Sequence, residues 1–271
     1  MSDEAKKLEI NDILRLIETV NKSLDSEAYV PSQEKTVRIK TLNANHTKNI
    51  LKSAMDGAFA ANQFNLIIYQ ILKEVVDHPL SSLTILDKMF LLLQLRIKNV
   101  SDEIEIELSS DKGEKIKQKL NLNKLLAKLK KETFSFTNEV IESDKIIVQL
   151  AYPSIEDEYQ FEHNLFKTKI ANIDDKNEKA IRSLFAPMFI NNVAQFVTSI
   201  NINGTDINMK TKNINERLLI VEKLPAVIDK IINKIDTVFG KQIAKITSIE
   251  VTRDDVVYHG VINLDASFFM G

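Results

Sequence analysis

A chain of 271 residues, 44% hydrophobic and 27% charged, can bury one large or two modest cores and is not disordered. It contains no cysteine, which excludes disulfides and thiolate metal sites. A formal net charge of -2 gives no global attraction to nucleic acid or to an anionic membrane, so any electrostatic recognition must be local.

Leu8, Ile13, Leu14, Ile17 and Val20 recur at near-helical spacing behind Asn11 and Asp12, and predict an amphipathic helix whose apolar face needs a partner. Leu14 and Ile17 on that face are candidate partner-binding residues. Tyr29-Val30-Pro31-Ser32 breaks the chain, and Val37 to Leu42 alternates as a short strand. Asn43 or Asn45 is placed to cap a helix carrying Ile50, Leu51, Ala54 and Met55. A second helix, from about Gln63 to Val76, is nearly apolar all round and is stopped by Pro79. Thr84-Ile85-Leu86-Asp87 resembles a capping signature ahead of Met89 to Ile97, the expected centre of the N-terminal core.

A hairpin follows. Ile104, Ile106 and Leu108 alternate with Glu103, Glu105 and Glu107, while Ile116 and Leu120 alternate with Lys115, Lys117 and Lys119. A turn at Ser110-Asp111-Lys112-Gly113 sets the acidic and basic rows on one outer face, where they pair. The alternative is a nucleic-acid-binding accessory protein using the Lys112–Lys131 region, but a phosphate-binding ribbon needs unpaired basic charge. Leu122, Leu125, Leu126 and Leu129 then make a short helix with a basic back.

Lys145 to Tyr152 is the clearest strand of the middle region, and Ser154 opens a helix with acids in its first turn. One or two helices precede an apolar, β-branched stretch from Val193 to Ile202, which runs into Asn203-Gly204, the strongest hairpin signal in the chain. Ile214 to Leu224 reads as helix up to Pro225. Ala226 to Phe239 reads as another, closed by Gly240 as C-terminal cap. The last hairpin turns at Asp254-Asp255. It loosely repeats the first: strand, polar turn, strand, then Asn-Leu-Asn at 121–123 or Asn-Leu-Asp at 263–265, where a helix can be capped. Phe268 and Phe269 would be anomalous if exposed at a terminus, so they either return to the core or dock into another subunit, and they join the partner-binding candidates.

The chemical inventory is thin. His46, His78, His163 and His259 are dispersed; Glu158, Glu162 and His163 share a predicted helix and read as a solvated face; Asp174-Asp175 and Asp254-Asp255 sit in predicted turns. No Gly-rich phosphate loop or nucleophile elbow is present. The expectation is a protein that is not an enzyme and uses no cofactor and no metal. Met1 to Lys7 lacks the apolar core of a signal peptide and no apolar run reaches membrane-span length, so a soluble chain is expected.

The sequence reads as α+β: an N-terminal helix and linker over 1–30, a helical core with the first hairpin over 31–132, and a mixed half over 133–271 ending in the second hairpin. Val37-Arg38-Ile39-Lys40-Thr41-Leu42, Ile50-Leu51-Lys52-Ser53, the block from Leu86 to Arg96, and Asn263-Leu264-Asp265-Ala266-Ser267-Phe268-Phe269 resemble the baseplate hub assembly proteins of T-even-like contractile-tailed bacteriophages, over nearly the whole chain. Some members of that family carry Cys-x-x-Cys turns in both hairpins. Here Ser109-Ser110-Asp111-Lys112 and Arg253-Asp254-Asp255 stand at those turns, so no zinc is implied. The resemblance implies a hub component, or an assembly factor for the hub and its tape-measure protein. Such a protein is expected to act by contact with other hub or tape-measure proteins or with further copies of itself as a homo-oligomer, in the host cytoplasm during assembly or in the virion tail baseplate. A hydrolase with an unrecognised site is the remaining class, and convergent acids in a deep pocket would mark it.

Overall fold

The structure, a computed structural model, describes residues 25–54, 59–171, 173 and 177–270, together with Ile10, Ile13, Arg15, Thr19 and Val20. Those five N-terminal residues are helical, whereas Leu14, Ile17, Asp174 and Asp175 lie outside the described residues.

The first core starts with an antiparallel pair, β1 (Ser26–Val30) and β2 (Lys35–Ile39). The expected strand at 37–42 lies two residues earlier. β1 falls where the sequence suggests only a linker, because Pro31 truncates its alternation, yet Ala28 and Val30 are fully buried. Helix α1 (Ala44–Ser53) is capped by Asn43, whose side chain accepts from His46 N at 2.9 Å while His46 Nδ1 accepts from Asn43 N. Helix α2 (Ala60–Val75) runs into an antiparallel bridge between Val76 and Ile39. Helix α3 (Ile85–Asn99) begins at a reciprocal Thr84/Asp87 cap, and buried Asp87 also accepts from Ser32 N and Oγ. Leu86, Phe90, Leu91, Leu93 and Leu95 have no exposed surface, so α3 is the centre of this core as its sequence implied.

Strands β3 (Glu103–Ser110) and β4 (Lys115–Asn121) form the charged hairpin around Gly113, whose φ of 82° is a conformation that glycine tolerates best. Helix α4 (Leu122–Leu129) follows directly, with Asn121 accepting from Lys124 N and all four of its leucines buried.

The second core is built on β5 (Glu139–Ser143), β6 (Ile146–Leu150), β7 (Val197–Ile202) and β8 (Thr205–Asn208), hydrogen-bonded in that order and antiparallel throughout. Asn203 (φ 52°) and Gly204 (φ 85°) make the expected tight turn. Helix α5 (Ile155–Leu165), capped by Ser154, continues through a π turn at Phe166–Ile170. Then come α6 (Glu178–Arg182) and α7 (Phe185–Ala194), so Val193 and Ala194 end a helix instead of starting a strand. After β8, α8 (Ile214–Glu222) is followed by α9 (Pro225–Lys234). Gly240 does not cap this last helix. It sits at φ -60° inside a π stretch, Ile235–Gly240, that leads straight into α10 (Lys241–Thr247). The packing of Phe239, only 1% exposed, carries the helix past a residue whose local preference would allow it to end.

The chain closes with β9 (Ser248–Arg253) and β10 (Val256–Val261), turning on Asp254 and Asp255 at φ 51° and 61°. The two similar hairpins share a sheet of order β4-β3-β10-β9, joined by Tyr258 opposite Ser110 and His259 opposite Ser109. Gly260 permits this approach, since a Cβ there would lie 2.4 Å from Leu108 Cδ2. The molecule is α+β, as expected. Packing does not follow chain order: one buried cluster runs from Ala28 to Ile155 and resumes at Ile246 to Phe269, while a second spans Ile141 to Phe239.

Candidate interaction surface

The C-terminal aromatics belong to the first core. Asp265 Oδ1 accepts from Ser267 N at 2.9 Å and starts a 3-10 turn over Ala266–Phe269. Phe268 is 1% exposed and Phe269 6%, with their rings edge-to-face at 5.5 Å and Phe269 6.3 Å from Phe64. Buried Arg96 on α3 donates through Nη1 to the Phe268 carbonyl and through Nη2 to the Glu103 carbonyl at 3.1 Å, with its guanidinium 5.0 Å from the Phe268 ring centre. Burial pushes this guanidinium below its ordinary pKa. One cation thus ties the start of β3 to the end of the chain. Phe268 and Phe269 meet each other inside the protein. Leu14 and Ile17, outside the described residues, cannot be placed beside them.

The solvated reading of Glu158, Glu162 and His163 is corrected by the way α5 packs between the cores. Lys88 Nζ donates to Glu158 Oε1 at 2.6 Å, and Asn62 Nδ2 donates to Glu162 Oε2 at 2.7 Å. Glu162 is only 7% exposed, and burial raises its carboxyl above the usual carboxylate range. Its spacing from Glu158 is that of a surface pair, but the face they share meets α2 and α3, and only His163 stays exposed. Further along, Tyr159 stacks on Tyr69 at 3.9 Å. On the other flank Arg217 lies 3.4 Å from Asp157 and sits over the Phe161 ring. Backbone bonds from Ile155 N to Leu83 O and from Ile85 N to Pro153 O lock the starts of α3 and α5 together.

On the outer face of the first hairpin the charges pair as expected: Lys115 Nζ reaches Glu107 at 2.6 Å and Lys117 Nζ reaches Glu105 at 3.0 Å. These contacts lower the Glu107 pKa and raise those of Lys115 and Lys117, in each case chiefly through the hydrogen bond to the partner. The inner edges of β3 and β10 are spent on each other, which leaves β4 and β9 as the outer edges of this sheet.

A different surface is left open, and the sequence reading passed over it. Phe185 is 64% exposed and Phe189 43%, one turn apart on α7; Leu219 on the neighbouring α8 is 56% exposed. Beside them a cleft of about 340 Å³ is lined by residues that include Leu165, Pro187, Ile190, Asn191, Leu218 and Leu219. Phenylalanines at i and i+4 mark an apolar helix face but read equally well as a buried one, so no local signal singles this surface out.

Among the described residues no group of three or more His, Asp or Glu could hold a metal, and no helix is long and apolar enough to cross a membrane. His46 pairs with Glu74 at 2.9 Å, His163 stacks on Tyr159, and His259 lies 3.6 Å from Glu250. None of these histidines joins a metal-holding group among the described residues.

A family model described as T4 bacteriophage base plate protein matches residues 23–261. No curated protein and no solved structure matches the chain.

Proposed function

The chain belongs to the T4 bacteriophage base plate protein family, whose role is structural and whose place is the tail baseplate, and from that premise we propose that it acts without catalysis as a hub component or as an assembly factor for the hub and its tape-measure protein. The observation that supports this reading is the apolar α7–α8 face. Phe185 and Phe189 are exposed, with Leu219 beside them, whereas the other phenylalanines, Phe268 and Phe269 included, are buried or half-buried. At these exposures their further burial contributes roughly 0.6–2 kcal/mol each, scaled from the full-burial figure. Such a face is suited to hold another baseplate subunit and unsuited to catalysis.

Mass spectrometry of purified particles and of tail intermediates tests the proposal. Retention in the particle identifies a hub component. Absence from the particle, with failure of tails when the protein is withheld, identifies an assembly factor. A protein that is both absent and dispensable overturns the proposal, as does salt-dependent retention on DNA with no effect on tails. Phe185→Ser combined with Leu219→Ser should block baseplate completion and leave the melting temperature of the isolated protein unchanged.

A further inference from the structure

Among the described residues, seven buried side-chain polar atoms lack a hydrogen-bond partner, and four of them belong to residues on or next to α7 and α8: Nδ2 and Oδ1 of Asn191, Oε1 of Gln195 and Nε of Arg217. Asn191 is on α7, Gln195 directly follows α7, and Arg217 is on α8. Asn191 is 1% exposed and lies in the wall of the α7–α8 cleft. A buried amide that engages neither its donor nor its acceptor is a stability defect, and native chains keep few of them. Phe185 and Phe189 are exposed on the same helix as Asn191, and the exposed Leu219 lines the cleft with it. Unfilled hydrogen bonds and an uncovered apolar rim at the same cleft describe a site that is finished by something else.

We propose that this cleft receives an extended segment of a partner baseplate polypeptide, one residue of which pairs its main-chain N–H and C=O with the side-chain amide of Asn191 while an apolar side chain settles among Ile190, Leu218 and Leu219. This rests on the reading of the protein as a baseplate component and names how it docks. The chemistry selects the occupant. Asn191 presents one acceptor and one donor group on a single plane, which the N–H and C=O of one extended residue, pointing to the same side of the chain, satisfy together. A carboxylate or phosphate offers acceptors only and would leave Oδ1 unpaired; a cation would leave Nδ2 unpaired; an aliphatic chain would leave both. The volume of about 340 Å³ is within the range of clefts that take small ligands. Both amide atoms lie beneath the cleft wall, so docking needs α7 to part from α8.

The test uses the full chain and N-acetyl-leucine-N′-methylamide as probe, followed through the amide resonances of residues 185–195 and 214–222 and the side-chain amide of Asn191. Saturable shifts confined to these residues are expected. Asn191→Leu should weaken the probe at least tenfold, equivalent to about 1.4 kcal/mol, while the melting temperature stays the same or rises because an unsatisfied amide has been removed. No saturable shift, shifts elsewhere, or equal binding by Asn191→Leu overturns the proposal. So does a melting temperature that falls by several degrees, because the amide would then be satisfied inside the chain by a neighbour or an enclosed water. Particle assembly separates this inference from the one beneath it. If the wild-type protein is needed for tails and Asn191→Leu supports them equally well, the cleft is wrong and the baseplate role stands; if the wild-type protein is neither present nor needed, the role itself fails.

Discussion

Replacing Phe268 by Ala should destabilise the isolated protein strongly, with no partner present. The side chain is 1% exposed, packs edge-to-face on Phe269 and lies under the Arg96 guanidinium. Its transfer from water contributes roughly 1.5–3 kcal/mol, and the cavity left by truncation brings the loss for a buried Phe→Ala to about 3–5 kcal/mol. At the lower figure the midpoint of a protein of this size falls by roughly 6–12 °C. Thermal and urea unfolding followed by circular dichroism measure it, with Phe185→Ala as control, since that ring is 64% exposed and should cost under about 0.5 kcal/mol. The comparison decides between the two places the sequence allowed for these aromatics. A loss below about 1 kcal/mol for Phe268→Ala, or an equal effect at Phe185, would refute the assignment of the C-terminal turn to the protein's own core.

Lys117→Glu exchanges an exposed pair with Glu105 for a repulsion and should cost at most about 1 kcal/mol, shrinking as salt is raised; a larger, salt-independent loss in urea titrations would mean that the ladder is structural in a way its exposure denies. Gly260→Ala drives a methyl into Leu108, which has no exposed surface, and should destabilise by about 1–3 kcal/mol, read as a lowered urea midpoint; an unchanged midpoint would show that the β3–β10 contact is loose. Glu162 has a folded pKa above its unfolded value, so the folded state binds the proton more tightly and stability declines as pH rises from the unfolded pKa through the folded one. Glu162→Gln keeps an acceptor for Asn62 and should flatten that decline; denaturation midpoints at pH 5 and pH 8 that fall by the same amount in variant and wild type would contradict it.

Much of the fold is written locally. Asn43, Thr84 with Asp87, and Ser154 declare helix starts because a cap is an interaction across three residues, and Asn203-Gly204 declares a turn because positive φ has few takers. Features decided by distant neighbours leave no such local mark. The spacing of Glu158 and Glu162 is identical for a solvated and a buried face, and only the arrival of Asn62 and Lys88 settles which it is. Gly240 has the residue type of a helix end, but the burial of Phe239 continues the helix through it. Conversely, Phe185 and Phe189 look like core residues in sequence, and nothing in their own segment says that α8 will leave them uncovered. Among the partner-binding candidates, Phe268 and Phe269 lie in the core, one of the two places the sequence left open, because which cover a pair of aromatics finds depends on distant Arg96 and Phe64.

The pairing of Ser109 with His259 also sets a timetable for synthesis. Roughly 150 residues separate the two, and they include the whole of the second core. On the ribosome α3 is therefore complete long before β9, β10, Phe268 and Phe269 exist to cover it, and during that interval the nascent chain carries an apolar helix with an open flank. The later core can form as a unit in the meantime, since its strands close through hairpins and one helical connection. Closing the first sheet across so long an intervening segment is entropically the most costly step, so it should come last and limit the folding rate. Synthesis interrupted between Phe239 and Phe268 would give chains with a finished second core and an unsealed first one, the form of this protein most prone to aggregate.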